Sequence, residues 1–161
     1  WAGLKFFNVY GPGEGHKGPM RSVVVQVYEQ AAAGGPVRLF RSHRADVADG
    51  GQKRDFIYVG DCAEVVLWLL DNPAVSGLFN LGTGVARSFE DLAHAVFAAL
   101  GEEPAITYID TPPAIRARYQ YFTKAKMDRL RGAGYAAPFT SLEDGVAEYV
   151  RRYLVPGDPH P

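Results

Sequence analysis

The apolar positions of this chain alternate between short runs and helical stripes, and the switch between the two periods predicts its elements. Residues 3–10 (GLKFFNVY) are an aromatic and branched run that stops at Gly11-Pro12-Gly13, which reads as a strand feeding a loop. That loop, residues 11–19, is rich in glycine and proline. Val23, Val24, Val27 and Ala31 then recur at helical spacing, so a helix is expected over about 20–33, closed by Gly34-Gly35. Residues 37–40 form a second strand, and the polar stretch 42–53 with its paired glycines reads as a long, mobile loop. A strand follows at 54–59 (RDFIYV), with Asp61 as N-cap of a helix carrying Val65, Val66, Leu69 and Leu70 on one side until Asn72-Pro73 stops it. Residues 77–81 are a further strand with a turn at 82–84. Ser88 to Asp91 open a helix that buries Leu92, Val96 and Leu100 and ends at Gly101. Residues 105–109 are strand-like, Thr111-Pro112-Pro113 break the run, and Thr123 caps a short helix through Leu130. Thr140, Ser141 and Glu143 resemble a capping box for a last helix to about Tyr153. The tail has no core residues and is expected to fray.

Strands and helices thus alternate, which predicts an α/β protein with small appended elements. About five strands are visible, too few for a complete doubly wound sheet, and no glycine-rich turn carries a strand straight into a helix. The chain is therefore expected to lack the phosphate-binding turn of a dinucleotide-binding unit.

Composition narrows the class. The 161 residues are 47% hydrophobic and 22% charged, enough for one ordinary domain with a core that needs neither metal nor disulfides. Seventeen Lys and Arg balance 18 Asp and Glu for a net charge of -1, so nucleic acid is not an expected partner. The single cysteine, Cys62, fits a reducing compartment, and no apolar run approaches a membrane span. The chain opens Trp1-Ala2-Gly3-Leu4 with no initiator Met and is expected to be a piece of something longer.

Three polar groups are candidates for chemistry. Asn8 and Tyr10 end a strand, and Glu14, His16 and Lys17 follow among glycines, where α/β folds bind ligands; a lysine there can hold a phosphate or, when desolvated, move a proton. Lys53-Arg54-Asp55 offers an arginine suited to bidentate phosphate recognition, with which Arg41 and His43 could converge. Residues 116–122 interleave arginines with aromatic rings, which could stack on a base while arginine binds diphosphate. Each also has a plainer explanation: a solvated loop, an Arg54–Asp55 pair facing water, and a loop packed on the core. The histidines are scattered and suggest no metal site, and Glu90-Asp91 and Glu102-Glu103 read as helix-end charges.

Taken together, FFNVYGPGEGHKGPM (6–20), LFRS (39–42), KRDFIYVGD (53–61), GLFNLGTG (77–84) and RYQYFT (118–123) resemble, in content and order, the ADP-L-glycero-D-manno-heptose 6-epimerases, extended short-chain dehydrogenase/reductases that act on nucleotide sugars. NVYGP and RDFIYV indicate the wider nucleotide-sugar group, and EGHKG with RYQ-x-FT sharpens it. The resemblance runs to about residue 154 and implies the carboxyl-terminal part of a Rossmann-like doubly wound sheet, at about 1–10 and 54–82, plus a smaller α/β substrate-binding lobe at about 11–53 and 83–154. A disordered tail is expected at 155–161.

The activity implied is NADP-dependent inversion at C6 of ADP-heptose for lipopolysaccharide inner-core supply. Hydride leaves C6 and returns to the other face of a 6-keto intermediate, which calls for two acid/base groups. In the resembled family these are a tyrosine from Tyr-x-x-x-Lys and the lysine of GHKG, here Lys17. No tyrosine of this sequence has a lysine four residues on, so the tyrosine is expected upstream. By the same matching Asn8 contacts substrate, Val9 and Lys17 contact NADP, Phe40, Arg41 and Ser42 line the nucleotide site, Arg54 and Tyr119 hold the ADP-sugar, and Gln26 stands at another substrate position. Pro19 and Gln26 replace a small polar residue and a histidine, and the loop 42–51 is longer than usual. A cytoplasmic, homo-oligomeric full-length enzyme is implied, the fragment alone being inactive. Two alternatives stay open: another nucleotide-sugar epimerase or dehydratase of the same superfamily, and a non-catalytic sugar-nucleotide binding module.

Overall fold

The computed structural model describes residues 1–157; residues 158–161 of the expected tail lie outside the described residues. The apolar run 3–10 is two strands rather than one. β1 (Ala2–Phe6) pairs in parallel with β6 (Gly77–Leu81), and β2 (Asn8–Tyr10) pairs in parallel with β5 (Phe56–Tyr58). The chain changes partner at Phe7, whose amide donates to the Leu81 carbonyl at 2.9 Å, while the next amide, Asn8, donates to Asp55 at 3.1 Å. The predicted strand 54–59 divides in the same way. β4 (Lys53–Arg54) runs antiparallel to β7 (Arg87–Ser88), and the ladder passes to β5 beyond Asp55. A fourth pair, β3 (Val37–Phe40) with β8 (Ile106–Ile109), is parallel.

The helix expected over 20–33 is also divided. A 3₁₀ segment occupies Gly15–Met20, Gly18 turns at φ 53°, a value that favours glycine, and α1 begins only at Val23 and runs to Ala32. α2 spans Val59–Asp71, so Asp61 lies inside its first turn and does not cap it. The buried Asp61 carboxylate instead accepts from the Thr140 amide at 2.9 Å and hydroxyl at 2.7 Å. Of the expected α2 stripe, Val65 is buried, whereas Val66 and Leu70 are exposed. α3 (Phe89–Leu100) begins where its sequence says it should: the Ser88 hydroxyl accepts from the Asp91 amide and the Asp91 carboxylate accepts from the Ser88 amide. Pro112-Pro113 does not simply break the chain, because Pro113 sits in the first turn of a short helix, α4 (Pro113–Arg116). Thr123 caps nothing; α5 (Asp128–Gly132) starts after Met127. The last helix, α6 (Leu142–Tyr149), is capped by Ser141, which accepts from Asp144, and loosens into a π turn at Val150–Leu154 before reaching the expected end.

The loop expected to be mobile is cross-tied. The Ser42 amide donates to Asp49 at 2.7 Å, the buried Gln52 amide donates to the Phe40 carbonyl at 3.2 Å, and the His43 amide donates to the Tyr121 hydroxyl at 2.9 Å.

Two hydrophobic cores result. One gathers Val24, Val27, Leu39, Leu92, Val96, Val146 and Tyr149 from α1, β3, α3 and α6. The other gathers Cys62, Val65, Phe79, Leu81, Met127, Leu130 and Tyr135 around α2, β6 and α5. Period-two alternation makes β5 their common wall, since Phe56 and Tyr58 face the first core and Ile57 the second.

Candidate functional site

Two adjoining hollows meet at Val23, in the first turn of α1. The first is a cleft of about 270 Å³ whose wall includes Gln26, Gln30, Arg38, Phe40, Arg54, Phe89 and Tyr119. The second, of about 360 Å³, is lined by Asn8, Val9, Tyr10, Glu14 and Lys17 among others. Four of the expected substrate residues thus share one cleft, and the expected cofactor residues share the neighbouring pocket with Asn8.

Arg54 sets the character of the cleft. Asp55 fixes the backbone beside it: its buried carboxylate accepts from the amides of Thr83 (2.7 Å), Gly84 (2.9 Å) and Ala125 (2.9 Å) and from the Thr83 hydroxyl. Those bonds commit Asp55 inward, so the solvent-facing Arg54–Asp55 pair does not form. The partly buried Arg54 guanidinium lies 5.4 Å from the Phe89 ring centroid and 5.6 Å from that of Tyr119, at distances for cation–π attraction. It donates to the Lys53 carbonyl at 2.9 Å and has no carboxylate partner among the described residues. Burial holds its pKa below the ordinary arginine value and pushes the Tyr119 phenol up, the nearby guanidinium opposing the latter. Arg38 is a second cation in the wall, its amide donating to Gln30 at 3.1 Å, and among the described residues no acidic side chain lines this cleft. A hollow with two cations, no carboxylate and aromatic walls suits an anion carrying a flat or apolar group.

Phe40 and Tyr119 meet edge to face at 5.9 Å, and Tyr119 meets Tyr121 likewise at 5.7 Å. Arg41 and Ser42 are not in the lining. Arg41 is exposed and paired with Asp49 and Asp110, each at 3.4 Å, and the Ser42 hydroxyl donates to the Arg44 carbonyl. His43 does not converge with Arg54 either, being held through its amide by Tyr121. Of the interleaved arginines, Arg116 donates to the Thr111 carbonyl at 2.9 Å, while Arg118 borders a separate hollow that Arg54 and Tyr119 also line.

Sequence reasoning passed over Phe89, Gln52 and Arg38. The signal for Phe89 was in view as the residue after a cap, but which ring would flank Arg54 depends on β4 pairing with β7.

The second pocket depends on a loop whose glycines have the Gly-x-Gly-x-x-Gly spacing at positions 13–18. It is not a phosphate-binding turn. A 3₁₀ segment intervenes before α1, and the Glu14 carboxylate accepts from the Ser22 amide at 2.5 Å, so an internal anion already occupies the helix N-terminus. Lys17 is exposed beside it on the pocket rim. Among the described residues no cluster of His, Cys, Asp and Glu could hold a metal ion, and no helix is long and apolar enough to cross a membrane.

Comparison with known proteins identifies the family and the fold. A curated protein of Nitratidesulfovibrio vulgaris named ADP-L-glycero-D-manno-heptose-6-epimerase is 61% identical over 99% of this chain and 49% of its own length. The crystal structure of the Helicobacter pylori ADP-L-glycero-D-manno-heptose-6-epimerase superposes with a TM-score of 0.75 at 30% identity, covering 94% of this chain and 43% of that one. The Thermus thermophilus UDP-glucose 4-epimerase, solved in complex with NAD, superposes with a TM-score of 0.69 at 28% identity over 93% and 45% of the two chains. The chain spans about half the length of the curated relatives it matches. These neighbours carry Rossmann-like folds, matching the expected fold class, and residues 1–82, which include both β2 and the Arg54 segment, match the family model directly: the chain belongs to the NAD dependent epimerase/dehydratase family.

Proposed function

We propose that this chain is the carboxyl-terminal half of an ADP-heptose 6-epimerase and supplies most of its nucleotide-sugar site. The observation that carries the reading is Arg54, a partly buried cation without a carboxylate, held between Phe89 and Tyr119 in a cleft that also contains Gln26 and Phe40. A diphosphate meets the guanidinium, and the aromatic walls take the remainder of the nucleotide. The names of relatives up to 61% identical support ADP-heptose over other nucleotide sugars. In this reading residues 1–10 and 54–82 are the last Rossmann elements, and 11–53 with 83–154 form the substrate lobe.

The donor set of the second pocket fits one end of a dinucleotide and no more. Its volume of about 360 Å³ and its Asn8, Val9 and Lys17 suit a nicotinamide riboside, and the pocket offers no glycine cradle for the diphosphate. A nicotinamide cofactor, NADP in this proposal, would be held by Val9 and Lys17 and would supply reversible hydride transfer at C6 of the sugar. Asn8 orients the sugar, and the Lys17 side chain gives a proton as ammonium, or takes one as amine, at the C6 oxygen on one face, opposite the tyrosine of a Tyr-x-x-x-Lys motif, a spacing this sequence does not contain. The complete enzyme works in the cytoplasm as a homo-oligomer, in the supply of lipopolysaccharide heptose.

Turnover of ADP-D-glycero-D-manno-heptose by the complete enzyme tests the proposal. Lys17→Ala is expected to lower kcat by about 10²-fold or more while the protein stays folded. Undiminished turnover overturns the role of Lys17, and faster epimerisation of a UDP-sugar than of ADP-heptose overturns the substrate.

A further inference from the structure

Glu14 is 3% exposed, yet no Lys, Arg or His pairs with it among the described residues. Its carboxylate has three other partners. One oxygen accepts from the Ser22 amide at 2.5 Å; the other accepts from the Ser22 hydroxyl at 2.6 Å and from the Tyr149 hydroxyl at 3.1 Å. A buried carboxylate needs such donors to offset its lost hydration, and here they come from the residue that precedes α1 and from the last residue of α6. The Glu14 backbone takes part as well, its carbonyl accepting from the Lys17 amide at 3.0 Å. Beyond Lys17 the chain reverses at Gly18, whose carbonyl accepts from the Arg21 amide at 3.2 Å and side chain at 2.9 Å. The segment from 14 to 22 is therefore a closed loop, fastened at its base by the Glu14–Ser22 clasp, with Lys17 exposed upon it.

The same clasp fixes the loop against β2. Tyr149 and Gly145 are four residues apart on α6 and so share a face. Tyr149 holds Glu14, while Gly145 lies so close to the Tyr10 hydroxyl that a Cβ there would collide with it. Tyr10 is the buried end of β2, two residues from Asn8. One helix face thus holds both the strand that carries Asn8 and Val9 and the loop that carries Lys17.

We propose that Glu14 is a positioning residue for catalysis: through Ser22 and Tyr149 it holds the Lys17 loop in register with Asn8 and Val9. The role in turnover rests on the proposed function of Lys17, and the loop-holding role does not. In the complete enzyme, Glu14→Ala is expected to lower kcat about 30-fold, leaving KM for the nucleotide sugar within about threefold, because the Arg54 cleft is built by other elements. Glu14→Gln, which can still accept from the Ser22 amide and donate to the hydroxyls, restores most of that loss. In a Lys17→Ala background, Glu14→Ala costs less than about twofold more, since both act through one ammonium. Hydrogen exchange of residues 15–20 accelerates about tenfold in Glu14→Ala and stays near the parent rate in Glu14→Gln. Unchanged exchange in folded Glu14→Ala, or a full additional loss in the Lys17→Ala background, overturns the proposal. If Glu14→Ala does not fold, Ser22→Ala must give the same pattern at smaller amplitude, and parent-like exchange there overturns it. Full activity in Lys17→Ala alone removes the acid/base reading while the exchange rates still decide the clasp.

Discussion

Arg54 combines partial burial with two flanking rings and a free charge, and each property makes a different demand on a ligand. The charge selects an anion, the planar fork favours a bidentate one, and the rings at 5.4 and 5.6 Å hold the guanidinium in a fixed plane. Arg54→Lys keeps only the first. In the complete protein Arg54→Ala is expected to weaken ADP binding by about 10- to 100-fold, the loss of a charge-assisted hydrogen-bond pair worth about 1.5–3 kcal/mol, with Arg54→Lys recovering only part of it. Titration calorimetry with ADP measures this directly, and an unchanged dissociation constant in Arg54→Ala means that the anion binds elsewhere. That an arginine at 54 could bind phosphate was legible in the residue type; that Asp55 would not neutralise it was not. Asp55 turns inward because Thr83, Gly84 and Ala125, 28 to 70 positions away, offer their donors. Glu14 was in view as one of the polar residues of its loop, but its inward role was not, since nothing near it in sequence announces Tyr149, 135 positions on.

Local signals succeeded where the partner was local. Ser88 and Asp91 satisfy each other within one turn, so α3 starts as its sequence predicts; Asp61 and Thr123 are good capping types, but Asp61 is claimed by Thr140 and no helix follows Thr123 directly. The α3 start is also tied to α6. Arg87 reaches Asp91 at 3.2 Å and Glu143, in the first turn of α6, at 2.6 Å. Burial opposes ionisation of Asp91, but the Ser88 amide, the Arg87 guanidinium and the Ser88 hydroxyl outweigh it and hold its carboxyl below the usual range. The hydrogen bond from Arg87 does the same for Glu143. Both folded pKa values are depressed, so the unfolded chain takes up protons first as the pH falls. The cluster's contribution is complete above the ordinary carboxylate range near pH 4 and is lost as the pH drops through the lowered folded values. Thermal midpoints measured from about pH 6 to 3 are expected to fall, and Arg87→Ala should flatten the acid part of that curve. An Arg87→Ala curve parallel to the parent's would show that the link between the two helices adds nothing. Ser88→Ala, which removes the cap itself, should cost about 1 kcal/mol at neutral pH.

At the scale of the whole molecule the site lies along the wall between two cores, and that position couples its geometry to both. Phe56 and Tyr58 belong to the core under α1, α3 and α6, Ile57 belongs to the core around α2, and Val9 on the paired strand packs against the latter. Arg54 precedes this wall by two residues and Asn8 is bonded to it through the Asp55 carbonyl, so a displacement of β5 reaches both hollows. No local pattern reveals this, because the alternation of residues 56–58 says that the strand has two apolar faces and leaves open what each face meets. Ile57 is fully buried, and Ile57→Ala should cost about 2–5 kcal/mol. If β5 joins the cores into one cooperative unit, the loss appears equally in amide exchange of α2, which packs on the substituted side, and of α3, which packs on the other. Were α2 alone to lose protection, the cores would be independent, and the Arg54 cleft would have to draw its rigidity from the α3 side alone. A matched loss makes the wall itself the support that holds Asn8 and Arg54 at a fixed separation, as the proposed binding of one substrate by both residues would require.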